Sequence, residues 1–412
     1  MPKSSHTRHS YTRKPNLDDV RAAGHDTLRF VNRRILLSLI AERQPVSRIE
    51  LARISGLNKA TISTIMAELL RDRAVIEDGT GRTTPAGGKP PTHLRLNEQR
   101  YGIFGLDIRA DETILALSNF ESRIIARRSF KTGTDPQSFL RETGAAIKKM
   151  CAEHADFEEF AGVGVSLPGV VNNVTGIFLA SVVLPWRDVP VKTWLEEASG
   201  LPVIVDSSAR CAALAEVWHG KARYAQARNV LYVGVSAGLS CGLLIDGGLY
   251  RGGQAMAGQF GHMTIAFDGP QCSCGLRGCW DLYASDLATL ARYQKLRGAG
   301  GGRAMTMRRL IELTESGDPE AMKAVRETAR YLGIGIAGLV NGLDPDVVII
   351  GGEITKAWGL IEPVMLEEMK RNRLHQHTRE IPLRRSVFEV RPSLKGALTL
   401  VLNEQLSVPH VG

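Results

Sequence analysis

Aromatic residues make up only 6% of the sequence, and no apolar run reaches the roughly 18 residues that a membrane-spanning helix needs. A spanning helix is therefore excluded. The stretch from Met1 to Asn16 is polar and basic, with none of the apolar core that a secretory leader carries, so the expectation is a cytoplasmic protein with no membrane partner. Cysteine is scarce, at six in 412 residues, which rules out a disulfide-built scaffold. Acidic residues are short in one place only. Residues 1–100 hold 18 Lys and Arg against 10 Asp and Glu, whereas the remainder holds 34 against 33. A basic segment beside a neutral body is the footprint of a nucleic-acid-binding module joined to another domain. Hydrophobic residues at 43% and charged residues at 23% are ordinary globular values, and this length calls for two or three domains.

The cysteines that are present are clustered. Cys272, Cys274 and Cys279 lie within eight residues, and His262 stands ten residues before the first. One imidazole and three thiolates complete the four-ligand tetrahedron that Zn²⁺ favours, so the segment reads as a closed structural knuckle over 258–281. With four protein ligands there is no open position for an activated water, which speaks against a catalytic metal. Gly275 and Gly278 fall between the thiols, where the backbone must turn tightly. Cys151, Cys211 and Cys241 sit among apolar neighbours and read as core residues. His375 and His377 read as surface residues, and Trp186 and Trp194 as packing.

Taken in order, residues 1–26 read as a mobile basic arm with a short helix near Asp18–Ala23. Leu28, Val31, Ile35, Leu39 and Ile40 then recur at helical spacing, predicting a helix over Leu28–Arg43 capped by Thr27. Ser47-Arg48-Ile49-Glu50 is a capping box that opens a short second helix, closed near Gly56. Asn58 caps a third helix, Lys59 to Arg71, with Ile62, Ile65, Met66, Leu69 and Leu70 on its core side. A long helix followed by two short ones around a tight turn is a helix-turn-helix. Lys59, Ala60, Thr61, Ser63 and Thr64 lie on the face that can enter a major groove, and Arg48 stands at the start of the preceding helix. Strands at Ala74–Glu77 and Thr92–Leu96 flank a Gly- and Pro-bearing segment, a wing whose Arg82 and Lys89 reach phosphate or minor groove. The first domain is thus a winged helix-turn-helix over residues 27–97, with double-stranded DNA as its partner.

From residue 98 to 412 the texture is α/β. Strands are expected at Tyr101–Ile108, Thr113–Ser118, Ala161–Ser166, Leu201–Val205, Leu231–Ser236, Cys241–Ile245 and Val347–Ile350. Helices are expected at Pro136–Ala152, Ala209–Trp218, Asp281–Leu296, Met305–Glu315, Pro319–Leu343 and Leu394–Leu406. Alternating strands and helices over this length predict sheets covered by helices, in two lobes with a cleft.

The winged module, Gly-Leu-Asp-Ile at 105–108, Leu-Pro-Gly at 167–169, Gly261-His262 and Cys-Ser-Cys-Gly-Leu-Arg-Gly-Cys at 272–279 together resemble the ROK family (repressors, open reading frames, kinases). The likeness is to its repressor branch, which holds the N-acetylglucosamine and xylose repressors, and it spans the chain from about Thr27 onward. It implies a two-lobed actin-like sugar-kinase fold serving effector binding and oligomerisation, with His262, Cys272, Cys274 and Cys279 as zinc ligands.

Departures from the kinase pattern bear on activity. Family kinases carry an Asp-x-Gly-Gly-Thr turn for ATP phosphates, and this chain has Asp107-Ile108-Arg109-Ala110-Asp111 there. The kinases' Asn-Asp pair, whose Asp is the general base, is matched by Ser207 and Ser208, and a hydroxyl is no carboxylate base at neutral pH. The expectation is a protein that is not an enzyme. The family's sugar-contacting residues map to Gln259, His262, Asp281, Ser207 and Ser208, with Val183 where an Asn stands, so a cleft for a sugar or sugar derivative is implied with altered specificity. The implied function is a regulator of carbohydrate genes acting as a homodimer or homotetramer on operator DNA. A sugar kinase with a DNA-binding extension, an activator, a decayed pocket, and a regulator governed by a partner protein stay open as alternatives.

Overall fold

The computed structural model describes residues 25–80, 90–220, 224, 227–298, 305–374, 380–389 and 391–406. Residues 1–24 of the expected arm, with its short helix near Asp18–Ala23, lie outside them. The chain divides into two compact units, Met1–Leu96 with Leu406–Gly412, and Asn97–Gln405. No helix among the described residues is long and apolar enough to cross a membrane.

In the first unit, α1 (His25–Arg43) is followed by β1 (Val46–Ser47), α2 (Arg48–Ser55), α3 (Lys59–Arg71), β2 (Val75–Thr80) and β3 (Thr92–Leu96). The helix reaches back to His25, so Thr27 lies inside it rather than capping it. The capping box forms. Ser47 accepts from the Glu50 amide and donates its own backbone N–H to Glu50 Oε2 at 2.8 Å, satisfying two donors that a helix start would leave bare. Gly56 closes α2 at φ 71°, in the left-handed region. Asn58 Oδ1 accepts from Thr61 N at 2.8 Å to start α3, whose Ile62, Ile65, Met66 and Leu69 are buried with Leu36, Ile40 and Leu51. β2 and β3 pair antiparallel with Val75 opposite Leu96, and β1 adds an unforeseen third strand, in the order β1-β3-β2.

The second unit begins with β4 (Tyr101–Ile108), β5 (Glu112–Ser118), β6 (Ile124–Lys131), α4 (Pro136–Glu153) and β7 (Glu159–Leu167). Next come β8 (Val170–Asn172), β9 (Ile177–Ala180), β10 (Arg187–Val189), α5 (Val191–Ser199), β11 (Val203–Ser207) and α6 (Ser208–His219). After them lie β12 (Val230–Val235), β13 (Leu239–Ile245), β14 (Gly248–Leu249), β15 (Val347–Gly351) and β16 (Leu383–Arg385). One sheet has the order β11-β7-β4-β5-β6, the other β14-β13-β12-β15-β16. In each, the first strand in the chain lies at the centre, with an antiparallel pair on one side and two parallel strands on the other. This repeated topology is the duplicated core of an actin-like fold. β8, β9 and β10 form a separate small antiparallel sheet.

The first sheet buries Phe104, Leu106, Val163 and Val165 against Leu140 and Ile147 of α4 and Leu195 of α5. The helix Pro392–Leu406 also lies against it, so closely that a Cβ on Gly164 would stand 1.8 Å from the Ala397 carbonyl. The second sheet packs Leu231, Val233, Val348 and Ile350 against the helices Pro319–Leu343 and Trp358–Arg371. The expected continuous helix over Asp281–Leu296 is broken. Ser285 adopts an extended conformation and caps a new start through Ala288 N at 3.3 Å, giving Asp281–Ala284 and Asp286–Arg297.

Candidate functional site

Two strand pairings bring three polar residues side by side. Asp107 of β4 is opposite Ser166 of β7, and Ser166 is opposite Asp206 of β11, all near the carboxyl ends of parallel strands. Such edges are where ligands bind in open α/β sheets. Asp107, Ser166 and Asp206 are fully buried, and Ser166 Oγ donates to Asp107 Oδ1 at 3.0 Å. Burial of carboxylates demands partners. Asp107 Oδ2 accepts from Arg109 Nε at 3.1 Å and from Arg391 Nη1 at 3.2 Å, and Arg391 also pairs with Glu112. Asp206 Oδ1 pairs with Arg210 Nε, and its Oδ2 accepts from Arg251 Nε at 3.1 Å. The Arg210 guanidinium then donates to the carbonyls of Ala255 (2.9 Å), Ala257 (3.3 Å) and Val171 (3.0 Å). Arg210 was visible at helical spacing from Asp206, but the Arg251 and Arg391 contacts span 45 and 284 residues and leave no local signal.

These bonds position the expected effector residues. Ser207 Oγ accepts from Arg210 N at 3.4 Å and caps α6, and half-buried Ser208 opens the helix. Arg210 holds Ala255 and Ala257 beside them, and the same segment runs on to half-buried Gln259. Asp281 accepts a hydrogen bond from Leu239 N in β13, tying the cysteine segment to the second sheet. Burial raises the Asp281 carboxyl above its usual range, against the opposing pull of that hydrogen bond and of His262.

The side chains of His262, Cys272, Cys274 and Cys279 converge. Their ligand atoms lie within 4.8 Å of one another, with Cys272 Sγ 3.7 Å from His262 Nδ1 and Cys274 Sγ 3.6 Å from Cys279 Sγ. Metal–sulfur bonds of about 2.3 Å at tetrahedral angles put ligands about 3.8 Å apart, so these donors suit one soft-ligand metal ion. The loop is set by its backbone. Ile265 N donates to Gly278 O at 2.9 Å and Cys272 N to Leu276 O at 2.8 Å. Gly278 has φ 62°, and a Cβ there would stand 1.7 Å from the Ala266 carbonyl. Trp280, overlooked in the sequence, anchors the knuckle: it is fully buried and its Nε1 donates to Tyr331 O at 2.8 Å.

Cys211 and Cys241 are buried core thiols, Cys151 is half-buried, and burial pushes Cys241 up to about 12. Trp186 packs on Phe139 and Phe178. His375 and His377 lie outside the described residues.

On the winged module, Lys59, Ala60, Ser63 and Thr64 are exposed on α3 and Thr61 is half-buried. Thr64 Oγ1 donates to Ala60 O at 3.1 Å. Exposed Arg48 pairs with Glu77 of β2 at 3.2 Å. Arg82 and Lys89 lie outside the described residues.

Comparisons with known proteins identify the family. The ROK family profile matches residues 103–404. The Xylose repressor of Caldicellulosiruptor bescii is 30% identical over 398 residues, covering 94% of this chain and 99% of that protein. The glucokinase of Streptomyces coelicolor is also 30% identical, but over 65% of this chain and 86% of its own. Among solved structures, a ROK family transcriptional regulator described as a homologue of the Escherichia coli Mlc protein superposes with a TM-score of 0.80 at 24% identity, covering 92% of this chain and 98% of that one. A full-length repressor match and a family profile spanning most of the chain place this protein in the ROK family.

Proposed function

We propose that the protein is a non-catalytic transcriptional repressor of carbohydrate genes, whose second unit binds a sugar-derived effector and whose winged helix-turn-helix (residues 27–97) binds operator DNA. The observation that carries this reading is α3: four apolar residues bury one face while Lys59, Ala60, Ser63 and Thr64 line the exposed face. A helix of that kind sits in a major groove, and Arg48, Arg82 and Lys89 are assigned to phosphates or the minor groove. One recognition helix reads few base pairs, so a homodimer or homotetramer sets two of them roughly 34 Å apart, or a multiple of that.

Ser207 and Ser208 stand where the resemblance gives the kinases' Asn and general-base Asp, and a hydroxyl does not take that proton at neutral pH, which supports a regulator over a kinase. The His262, Cys272, Cys274, Cys279 set holds Zn²⁺, whose role is structural: it fixes the segment that carries Gln259 and Asp281. Ser207, Ser208, Gln259, His262 and Asp281 frame the effector cleft. An effector that prefers one arrangement of the protein by about 1–3 kcal/mol shifts operator affinity 5- to 150-fold.

Fluorescence anisotropy on DNA from upstream of the protein's own operon, at stated salt, tests this. Tight binding that a sugar or sugar derivative weakens is expected. No binding to that DNA, or ATP-dependent phosphorylation of a sugar, would sink the reading.

A further inference from the structure

The three thiols of the knuckle are not equivalent. Cys272 and Cys279 are buried, at 4% and 0% exposure, whereas Cys274 is exposed together with the whole of 273–277. The backbone divides them in the same way. Cys272 N donates to Leu276 O at 2.8 Å and Gly275 N to Cys272 O at 3.0 Å, a tight turn that carries Cys274 near its tip. Gly275, at φ 94°, has no non-neighbouring atom within 4 Å of where its Cβ would stand, so the tip of that turn lies in open space. Gly278, next to Cys279, has the Ala266 carbonyl 1.7 Å from its own Cβ position, and Trp280 on the other side is fully buried. Cys279 is therefore held fast, and Cys274 is reachable and able to turn.

The sulfurs of these two residues are also neighbours, 3.6 Å apart. A disulfide needs them at about 2.05 Å, a closure of about 1.5 Å that rotation of the Cys274 side chain can supply. Cys272, the third thiol, is buried and lies 3.7 Å from His262 Nδ1. Cys211 and Cys241 are buried in the core, Cys151 is half-buried, and none of these joins the converging set.

We infer that Cys274 is an oxidation site and Cys279 the thiol that resolves it, so that a peroxide converts the pair to a disulfide and unloads the metal. This rests on the zinc reading above. A metal-bound thiol is held as thiolate, the form that attacks a peroxide. Cys274 Sγ takes one peroxide oxygen to become a sulfenic acid, and the other oxygen leaves as hydroxide and is protonated to water. The Cys279 thiolate then attacks the Cys274 sulfur, forming the S–S bond and expelling a second hydroxide, which also becomes water. Two thiolates thus give up two electrons, one peroxide is reduced to two waters, and two protons are consumed. His262 and Cys272 are left as ligands, too few for a tetrahedral site.

The test uses the full-length, metal-loaded protein, with its Zn²⁺ content first measured by atomic spectroscopy. Hydrogen peroxide is added in the presence of a metallochromic chelator, and released Zn²⁺ is followed against loss of free thiols. One Zn²⁺ released for every two thiols lost is expected, reversed by dithiothreitol and added Zn²⁺. Trypsin cuts after Arg277, so the disulfide joins peptides 252–277 and 278–292, and fragmentation tells Cys274 from Cys272. Cys274→His keeps four ligands but can form no such disulfide, and should release metal at least about 10-fold more slowly. The peptide map of the parent protein decides alone if that variant loads no metal. Metal that stays bound through the oxidation, a link through Cys272, or equal release from Cys274→His overturns the oxidation site while the zinc reading stands. A protein that takes up no Zn²⁺ at the outset overturns both.

Discussion

The two five-stranded sheets share one strand order and carry different chemistry at the carboxyl ends of their parallel strands. In the first, Asp107, Ser166 and Asp206 stand abreast under four arginines. In the second, the matching place holds Gly234 opposite Gly351, followed by Gly352 at φ 117°, where a Cβ would stand 2.0 Å from the Val235 carbonyl. Asp286 and Glu353 lie near that edge, and Lys356 pairs with Glu353 at 2.7 Å. Asp286 donates its backbone N–H to Ser236 O at 2.8 Å, and its Oδ1 has no hydrogen-bond partner among the described residues. Burial, with Glu353 adding to it, pushes the Asp286 carboxyl up to about 7. Topology therefore fixes where the two loop clusters open, and side chains set the chemistry each presents.

The largest test of this contrast is metal removal. Binding at a structural Cys/His site is worth on the order of 10 kcal/mol. Chelation or Cys274→Ser should reduce the metal found by atomic spectroscopy from one per chain to none. Hydrogen exchange should rise over 258–284 and at Leu239, while the Tyr101–Ile108 strand stays protected. Equal loss of protection in both sheets would break the comparison.

Arg210→Met comes next. It leaves half of the buried Asp206 carboxylate unanswered, at a cost of about 3–5 kcal/mol in chemical denaturation. Replacing Asp206 by Leu in the same chain should recover part of that cost, because the orphaned charge is then gone.

Asp286→Asn should have an effect of opposite sign. A carboxyl that holds its proton to about 7 in the fold, against 3.8 when exposed, makes the native protein lose stability as pH rises from about 4 to about 7. The variant should be more stable than the parent by up to about 4 kcal/mol above pH 7 and equal to it below about pH 4. A gain that persists at pH 4 would show that packing, not charge, is responsible.

Much of this was legible in the sequence for physical reasons. The capping box at Ser47 and Glu50, the Asn58 cap and the buried stripe of α3 are local, and each formed as expected. The His262, Cys272, Cys274, Cys279 spacing was enough to bring four ligands together, because Gly275 and Gly278 relax the turn between them. Other elements were hidden. β6 is an edge strand whose Arg127 and Arg128 interrupt any apolar pattern, and β8, β9 and β10 are three or four residues each, too short to show a period. Thr27 and the break at Ser285 show how weakly a single capping side chain fixes a boundary when packing decides otherwise.

By itself, then, the sequence determined the helices of the winged module, the four side chains that could hold a metal ion and the serines at 207 and 208, since each rests on residue types at short spacing. Only the tertiary structure decided that Arg251 and Arg391, far from Asp206 and Asp107 along the chain, close on them and answer the buried carboxylates. Charge balance in a buried site depends on which side chains meet in space, and no local period encodes that.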